Sequence, residues 1–437
     1  MKFESFLGWT FLFLLCVTPV FLLMAFGDEP NWFGNYETAT HTLGEIFGLV
    51  GMTMFALTFL LSTRVSFIED IFGGLDKVYI AHGILGGSAL ILILFHPVLL
   101  VLKFIPNDVW QAALYLLPSA YWSVNFGIIA LVGMVLLIVL TLFSKLKYHN
   151  WKLSHDFFGL VFLFAVLHVF LIRGNGSKDM IFAGYYIYAA VVAVIGFSGF
   201  FYSMLLKTRL FKNAIYTVAD VVKYKDYFEV ILKPEHKPIS YKSGQFVFLR
   251  FYNQKLSSES HPFSIASKSD APNLTIVIKK LGDYTSALDN LKLGDKVGIE
   301  GPYGRFNYRG VKTKTQVWIA GGIGITPFLG MVMDLLEGKG LEYDVDLYYC
   351  VNNDADFIGA NIIQKVAEKN KRFRYFAWNT KKYGHLGAQN IAEFSGKFKG
   401  KDFFLCGPPP FKESVIKSLE QSGVSDSYIH EEAFDFI

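Results

Sequence analysis

Four of the ten histidines stand inside long apolar stretches, His82 and His96 in one and His155 and His168 in another. An ionisable ring in hydrocarbon is costly unless it is paired or ligated, so each is a candidate for function. The first two are 14 residues apart, close to four helical turns, and share nearly one face with roughly 21 Å of rise between them. The second two are 13 apart, roughly 20 Å. Two helices with levels matched in this way can clamp two haems, His82 with His155 on one iron and His96 with His168 on the other. Bis-imidazole ligation leaves the iron coordinatively full, which suits electron transfer better than ligand binding. On an ideal helix thirteen residues turn the second ring about 140° from the first, so the helix bearing His155 and His168 must bend, or the haems must be offset in azimuth. Buried polar rings bonded to neighbouring helices are the plainer account of a lone histidine; two matched pairs count against it. His41 and His149 fall at helix ends or loops and read as interfacial.

A second group of residues could handle nucleotides. His261-Pro262-Phe263-Ser264-Ile265-Ala266-Ser267 ends a strand-like run and offers a hydroxyl and backbone N–H groups to a flavin ring, although an ordinary strand could look the same. Lys279-Lys280-Leu281-Gly282-Asp283-Tyr284-Thr285-Ser286 reaches a Gly turn at a helix start, where free N–H groups can hold a pyrophosphate. Gly321-Gly322-Ile323-Gly324-Ile325-Thr326-Pro327 is a stronger signal. It follows the strand QVWIA and precedes an apolar helix, the context a dinucleotide-binding turn requires, with a variant of the G-x-G-x-x-G spacing. Gly301-Pro302-Tyr303-Gly304 lies upstream, and Phe403-Phe404-Leu405-Cys406-Gly407-Pro408-Pro409 ends another strand. A cysteine at a strand's carboxyl end can touch a nicotinamide ring, though a lone Cys is more often buried filler.

The elements that must position these residues follow from the hydropathy. Apolar stretches of spanning length run near 6–26, 43–62, 79–102, 121–143, 155–172 and 181–206, predicting six membrane helices. The first resembles a secretory signal, but no small-residue cleavage site follows it, and it reads as a retained helix. Lys145, Lys147 and Lys152 in one loop, and Lys207, Arg209 and Lys212 after the sixth helix, contrast with Asp28, Glu29 and Glu37 in the loop 27–42. That bias puts both termini in the cytoplasm. After about residue 212 short alternating runs such as YFEVILK and QFVFLRFY predict a small β-barrel; from about 315 alternating strands and helices predict a parallel sheet. With 437 residues, 52% hydrophobic, the chain divides naturally into a membrane half and a soluble half. The net charge of +4 is small and spread out, so nothing points to nucleic acid. Three scattered cysteines, Cys16, Cys350 and Cys406, make neither a disulfide framework nor an iron–sulfur site, so redox centres must be bound cofactors.

Taken in order, HPFS, the Gly-Asp-x-Thr turn, GPYG, GGxGITP and CGPPP resemble ferredoxin-NADP reductase-type domains. Joined to six helices and two His pairs, they make the chain resemble the ferric reductase and NADPH oxidase superfamily over nearly all its length. With no EF-hand loop before the membrane part, it looks like the minimal bacterial type, an integral protein of the cell membrane. The resemblance implies a haem domain over 1–206, an FAD-binding barrel over 207–312 and a cytoplasmic NAD(P)H-binding α/β domain over 313–437. It implies that His261, Pro262, Phe263 and Ser264 bind FAD, Ser264 near the flavin N5, with Lys279, Gly282, Thr285 and Ser286 at the pyrophosphate. Gly321, Gly322, Gly324, Thr326 and Pro327 would cradle the nicotinamide dinucleotide, with Cys406 and Gly407 beside its ring. Glu432-Ala433-Phe434 corresponds to a terminal Glu-x-Phe whose aromatic stacks on the flavin until nicotinamide displaces it; Phe436 rivals Phe434 for that place.

The expected cofactors are FAD, two b-type haems and NADPH, with NADH open. No Arg awaits a 2′-phosphate after DVDLYYC, where Val351-Asn352-Asn353-Asp354 follow, so NADPH rests on resemblance alone. Arg64, Arg173 and Lys178 could neutralise haem propionates, though loop cations are more often membrane anchors. The expected acceptor is dioxygen, giving superoxide. The alternatives are a ferric chelate, or a partner reductase for which this chain supplies electrons. A transporter with a nucleotide-sensing domain and a His proton relay belongs to another class, which a haem absorption band would dispose of.

Overall fold

The computed structural model describes residues 3–26, 32–105, 107–115, 117–144, 146, 148–172, 180–206, 214–257, 259–311 and 313–432. Lys145, Lys147, Arg173, Lys178, Lys207, Arg209, Lys212, Phe434 and Phe436 lie outside them. Residues 4–72 and 77–207 cluster into one compact unit and 208–437 into a second.

In the first unit six helices are long and apolar enough to cross a membrane: Phe6–Ala25, Tyr36–Leu61, Leu75–Leu102, Trp122–Phe143, Asn150–Ile172 and Gly184–Leu205. The chain is a multi-pass membrane protein. The second, third and fifth spans begin several residues before the apolar runs that announced them, at Tyr36, Leu75 and Asn150 rather than 43, 79 and 155. A helix does not stop where hydrocarbon ends if its start is capped. Asn35 Oδ1 accepts from Thr38 N–H at 2.8 Å, and Asn35 N–H donates to Thr38 Oγ1 at 3.2 Å, which carries the second helix through Glu37 and His41. Large apolar side chains such as Phe13, Phe21, Ile84 and Phe143 face outward along the spans, a surface that lipid covers.

Inside the bundle the driving force is close packing rather than exclusion of water, and small residues let it happen. Phe162 of the fifth span lies edge-on to Phe55 and Phe59 of the second at 5.4 and 5.2 Å, and to Phe197 of the sixth at 5.1 Å. A Cβ on Gly196 would come within 2.3 Å of the Phe162 ring, and one on Gly159 within 2.2 Å of Phe200. The fifth span is not one continuous helix. It consists of Tyr148–Asp156 and Phe158–Ile172, with Phe157 N–H turned back to Ser154 O at i−3. That interruption stands between His155 and His168, where the 13-residue spacing requires a departure from ideal geometry.

The second unit holds two sheets. Strands β1 (Ile215–Lys223), β2 (Tyr227–Pro234), β3 (Phe246–Tyr252), β4 (His261–Ser264), β5 (Leu274–Lys279) and β6 (Lys296–Tyr303) form an antiparallel sheet in the order β4-β3-β6-β1-β2-β5. A bridge between Ile265 and Ile276 joins its two edges into a barrel. Alternation places Phe228, Val230 and Leu232 of β2 inside while their neighbours face out. Strands β7 (Thr315–Gly321), β8 (Asp344–Val351), β9 (Phe373–Asn379), β10 (Lys401–Cys406) and β11 (Ile429–Glu431) make a parallel sheet, ordered β11-β10-β7-β8-β9. Both faces are covered: helices α1 (Thr326–Leu336) and α2 (Ala360–Lys369) contribute to one core cluster, α3 (Ala388–Ser395) and α4 (Pro409–Gln421) to the other. That is why QVWIA reads as a continuous apolar run instead of alternating. The order reverses between β7 and β10, the switch point at which open α/β sheets bind ligands.

Candidate functional site

The four intramembrane histidines meet in the pairs their spacing requires. The rings of His82 and His155 have centroids 6.1 Å apart, and those of His96 and His168 are 6.3 Å apart. Metal–imidazole bonds of about 2.0–2.1 Å, with roughly 1 Å from nitrogen to ring centre, put two imidazoles sharing one metal about 6 Å apart. Three of the rings are pinned through Nδ1 to backbone carbonyls: His82 to Thr58 O at 3.0 Å, His96 to Gly44 O at 2.7 Å and His168 to Ser123 O at 2.7 Å. A carbonyl only accepts, so Nδ1 carries the proton and Nε2 keeps its lone pair, the tautomer a metal ligand needs. His155 Nδ1 lies 3.5 Å from Thr141 Oγ1, and its ring stacks on Trp151 at 5.1 Å.

Glycines seat two of these rings. A Cβ on Gly48 would fall 2.7 Å from His96 Nδ1, and one on Gly127 2.8 Å from His168 Nδ1. Among the described residues there is no group of three or more His, Cys, Asp or Glu that could hold a metal ion. Each pair therefore offers two donors, as a planar macrocycle that brings its own four nitrogens requires, and the arrangement fits haem. Arg64, in left-handed backbone at φ 59°, donates from Nε to Tyr79 OH at 2.5 Å, one helical turn before His82.

The nucleotide motifs also converge. β4 pairs with β3 so that Ser264 stands opposite Phe246 and His261 opposite Leu249. The His261 ring lies 3.8 Å from that of Tyr284, which joins HPFS to the Gly-Asp-x-Thr turn. Burial lowers the His261 imidazole pKa, opposed by Glu259, whose carboxylate is 3.4 Å away. Thr285 Oγ1 accepts from the N–H groups of Leu281 and Gly282 at 2.9 and 3.0 Å, so the turn is closed by its own hydroxyl. Lys279 ends β5 opposite Tyr227 of β2, and Ser286 N–H bonds Gly282 O at 3.0 Å. Across β3 from β4, a Cβ on Gly304 would lie 3.0 Å from the Phe246 ring and 2.9 Å from Glu432 Oε1. The Glu432 N–H donates to Leu405 O at 3.3 Å, beside Cys406. HPFS, GPYG, the end of β10 and the start of the C-terminal segment thus form one contiguous group.

The glycines of the GGIGITP turn divide the work unequally. A Cβ on Gly324 would sit 2.2 Å from Cys406 O, and one on Gly321 2.7 Å from the Phe411 ring, so these two serve packing across the switch point. Gly322, at φ 56°, would meet nothing within 4 Å and is the one that opens outward. Thr326 Oγ1 closes the turn onto Ile323 O at 3.1 Å, and Pro327 starts α1 without an unsatisfied N–H. Cys406 has no exposed surface, and burial raises its thiol pKa far above the ordinary range. Its sulfur belongs to the core beneath the switch point. Gly407, half-buried, packs against Phe411 and Gly321, where a Cβ would come within 2.9 and 3.1 Å.

Several residues that shape the site carried no motif. Gly44, Gly48, Gly127, Thr58 and Ser123 act through space or carbonyls, and their only trace in sequence is a small or hydroxyl residue inside an apolar span. Lys381 and Lys382, which follow β9, lie against the Asn353-Asp354 turn after β8, a proximity visible only once the sheet is paired.

Three protein-family descriptions match the chain in series: a ferric reductase like transmembrane component over residues 47–166, an FAD-binding domain over 211–307 and an oxidoreductase NAD-binding domain over 318–417. Among curated proteins, the reductase component of phenol 2-monooxygenase from Pseudomonas sp. is 29% identical over 213 residues, 45% of this chain and 59% of its own. The electron transfer component of anthranilate 1,2-dioxygenase from Acinetobacter baylyi is 30% identical over 213 residues, again 45% and 59%. The chain thus spans less than two thirds of the length of these relatives. Among solved structures, the flavohaem-like FAD/NAD-binding domain of nitric oxide dioxygenase from Vibrio cholerae aligns with TM-score 0.44 at 22% identity, over 50% of this chain and 97% of that one. A ferric reductase-like membrane component joined to FAD- and NAD-binding domains in that order gives the chain a ferric reductase- and NADPH oxidase-like architecture.

Proposed function

We propose that this chain carries electrons from cytoplasmic NAD(P)H, by way of FAD and two b-type haems held by His82/His155 and His96/His168, to dioxygen on the far side of the membrane, giving superoxide. The observation that carries the reading is the pair of imidazole contacts at 6.1 and 6.3 Å, three of the four rings fixed through Nδ1 to carbonyls so that Nε2 is left for iron. FAD supplies the conversion of a two-electron hydride into single electrons, and haem iron supplies their one-electron carriage. The protein's part is placement. In this reading the Ser264 hydroxyl meets the flavin N5, with His261, Pro262 and Phe263 along the same strand. Gly282, Thr285, Ser286 and Lys279 gather at the turn assigned to the FAD pyrophosphate. Gly322 gives a dinucleotide close access to backbone, Gly321 and Gly324 hold β7 and β10 together beneath it, and Thr326 and Pro327 fix the turn. Gly407 offers the contact to the nicotinamide ring, and the Cys406 thiol supports it from below. Phe434, or Phe436, shields the flavin face until the nicotinamide arrives. Arg64 serves a propionate of the His82/His155 haem.

The test is anaerobic reduction of purified, flavin-loaded protein by NADPH, followed by mixing with oxygenated buffer. Rapid reoxidation of the haem bands, with dye reduction sensitive to superoxide dismutase, is the expected result. Slow reoxidation by oxygen but fast reoxidation by a ferric chelate would replace dioxygen with iron as the acceptor. Absence of haem reduction would overturn the pathway itself.

A further inference from the structure

Helix α1 starts at the GGIGITP turn, and its other end is fastened to the strand that carries Ser264. Asp334, in the last turn of α1, has no exposed surface. Its Oδ2 accepts from Ser243 Oγ at 2.8 Å and from Ser269 Oγ, and its Oδ1 accepts from the Ser269 N–H at 3.1 Å. Both serines belong to the barrel. Ser269 lies five residues beyond Ser264 on the chain leaving β4, and Ser243 lies three residues before Phe246, the β3 residue paired with Ser264. A carboxylate is costly to bury unless its oxygens are bonded, so these contacts hold α1 to one place on the barrel.

Backbone meets backbone around this carboxylate. A Cβ on Gly330, one turn before Asp334, would fall 2.6 Å from Ser267 O and 3.3 Å from Ile265 O, and one on Gly244 would fall 1.8 Å from Phe306 O. Lys339 Nζ, past the end of α1, donates to Ser269 O at 3.1 Å and stands 3.9 Å from Asp334 Oδ1. Asn307 Nδ2 donates to Ser243 O at 3.1 Å. A slide of α1 along the barrel would break several of these bonds at once, and none of the groups that make them is assigned to a cofactor.

We propose that Asp334 is a positioning residue for hydride transfer: by locking α1 to the chain leaving β4 and to the start of β3, it sets the separation between the Gly322 turn and the Ser264 strand. This rests on the reading that a nicotinamide dinucleotide and FAD bind at those two motifs. The step it governs moves one hydride, a proton with two electrons, from the dihydronicotinamide ring to the flavin, oxidising the first and reducing the second. Such a step depends on approach far more steeply than binding does, and a displacement of about 1 Å caused by a distant change can cost about a hundredfold.

The experiment compares the detergent-solubilised full chain with two variants. Asp334→Asn replaces one accepting oxygen with a donor, and Tyr348→Phe removes a buried hydrogen bond to Ser395 in the core on the opposite face of the parallel sheet. Hydrogen exchange is read on peptides covering 241–245, 265–271 and 326–336, and anaerobic flavin reduction is followed at saturating NADPH carrying hydrogen or deuterium at C4. In Asp334→Asn the three peptides should exchange faster together. Flavin reduction should slow by about tenfold to a hundredfold with its deuterium effect retained, while KM for NADPH stays within about threefold. Tyr348→Phe should leave the three peptides and the reduction rate unchanged. If Asp334→Asn does not fold, Ser269→Ala, which keeps the Ser243 bond and the Ser269 N–H bond, should show the same pattern with a loss of about threefold. Faster exchange with an unchanged hydride step, a loss confined to KM, or an equal loss in Tyr348→Phe overturns the proposal and leaves the functional reading intact. If neither NADPH nor NADH reduces the flavin of the unaltered chain, the functional reading falls and the proposal falls with it.

Discussion

Glycine is used in both halves of this molecule, and for different purposes. In the membrane half Gly48 and Gly127 give up a side chain so that a neighbour's imidazole can occupy the space, and the rings they face are the ones assigned to iron. In the soluble half Gly322 leaves a space open, and Gly324 removes a side chain so that backbone can touch backbone between β7 and β10. The membrane site is therefore built from side chains held by carbonyls and packing, the nucleotide site from backbone with side chains taken away. On the proposed function the contrast follows from the ligands. A haem iron needs two nitrogen donors at fixed height, whereas a dinucleotide needs a long, shallow approach to N–H groups.

The largest expected effect breaks the membrane half alone. His82→Ala and His155→Ala should each cut the haem content from two to one per chain and reduce acceptor turnover to background. Flavin reduction by NAD(P)H should persist, because the nucleotide site shares no residue with the pair. Haem extracted as its pyridine adduct, set against flavin content, measures this. Two haems retained in either variant would end the assignment of that pair.

Next come the seats. Gly48→Ala and Gly127→Ala each place a methyl group within 2.7–2.8 Å of a histidine Nδ1, so the ring must tilt away from its carbonyl. Disturbing such an orienting contact typically costs about 10–100-fold in metal affinity. The haem assigned to His96/His168 should be lost preferentially, since Gly48 faces His96 and Gly127 faces His168, while the band of the His82/His155 haem remains. Unchanged affinity for both haems would show that these glycines serve helix packing only.

The corresponding test in the soluble half separates two glycines of one motif. Gly324→Ala forces a methyl group against the Cys406 carbonyl and should destabilise the sheet domain by about 1–3 kcal/mol, seen as a lower unfolding temperature. Gly322→Ala meets no neighbour and pays only for its left-handed backbone, about 1–2 kcal/mol, yet it should lower kcat/KM for NAD(P)H by on the order of tenfold to a hundredfold through obstructed approach. The reverse pattern, with Gly324 governing nucleotide use and Gly322 only stability, would exchange their roles.

How far the sequence went differs between the halves for the same physical reason. Six spans, the His pairing and the parallel sheet were all legible, because hydrocarbon and buried strands leave long unambiguous apolar runs. The early starts at Tyr36, Leu75 and Asn150 were hidden by polar residues that capping and loop contacts accommodate. The spacing of His155 and His168 demanded a bend and left its place open; only the i−3 bond at Phe157 locates it. Ser264, Gly304 and Cys406 stood in recognisable strings. Lys381 and Lys382 belong to no string and reach Asn353 and Asp354 only through the β8–β9 pairing. Contacts made by register are invisible to a reading that moves along the chain.

The smallest effect concerns the thiol at the switch point and asks whether the backbone construction of the nucleotide site is complete. A free cysteine is alkylated as its thiolate, so its labelling quickens as pH rises through about 8.5. Burial raises both soluble-half thiols, Cys350 and Cys406, far above that range, so the neutral form persists and labelling should stay slow from pH 7 to 9 in the native protein. Added NADP+ should make no difference, because the Cys406 sulfur is already shielded by its own core. Peptide mapping after iodoacetamide treatment, native against denatured, reads this directly. Fast labelling of Cys406 that NADP+ suppresses would instead put the thiol in the crevice beside the nicotinamide. The soluble site would then use a side chain where the present geometry gives it only backbone, and the contrast with the membrane half would narrow accordingly.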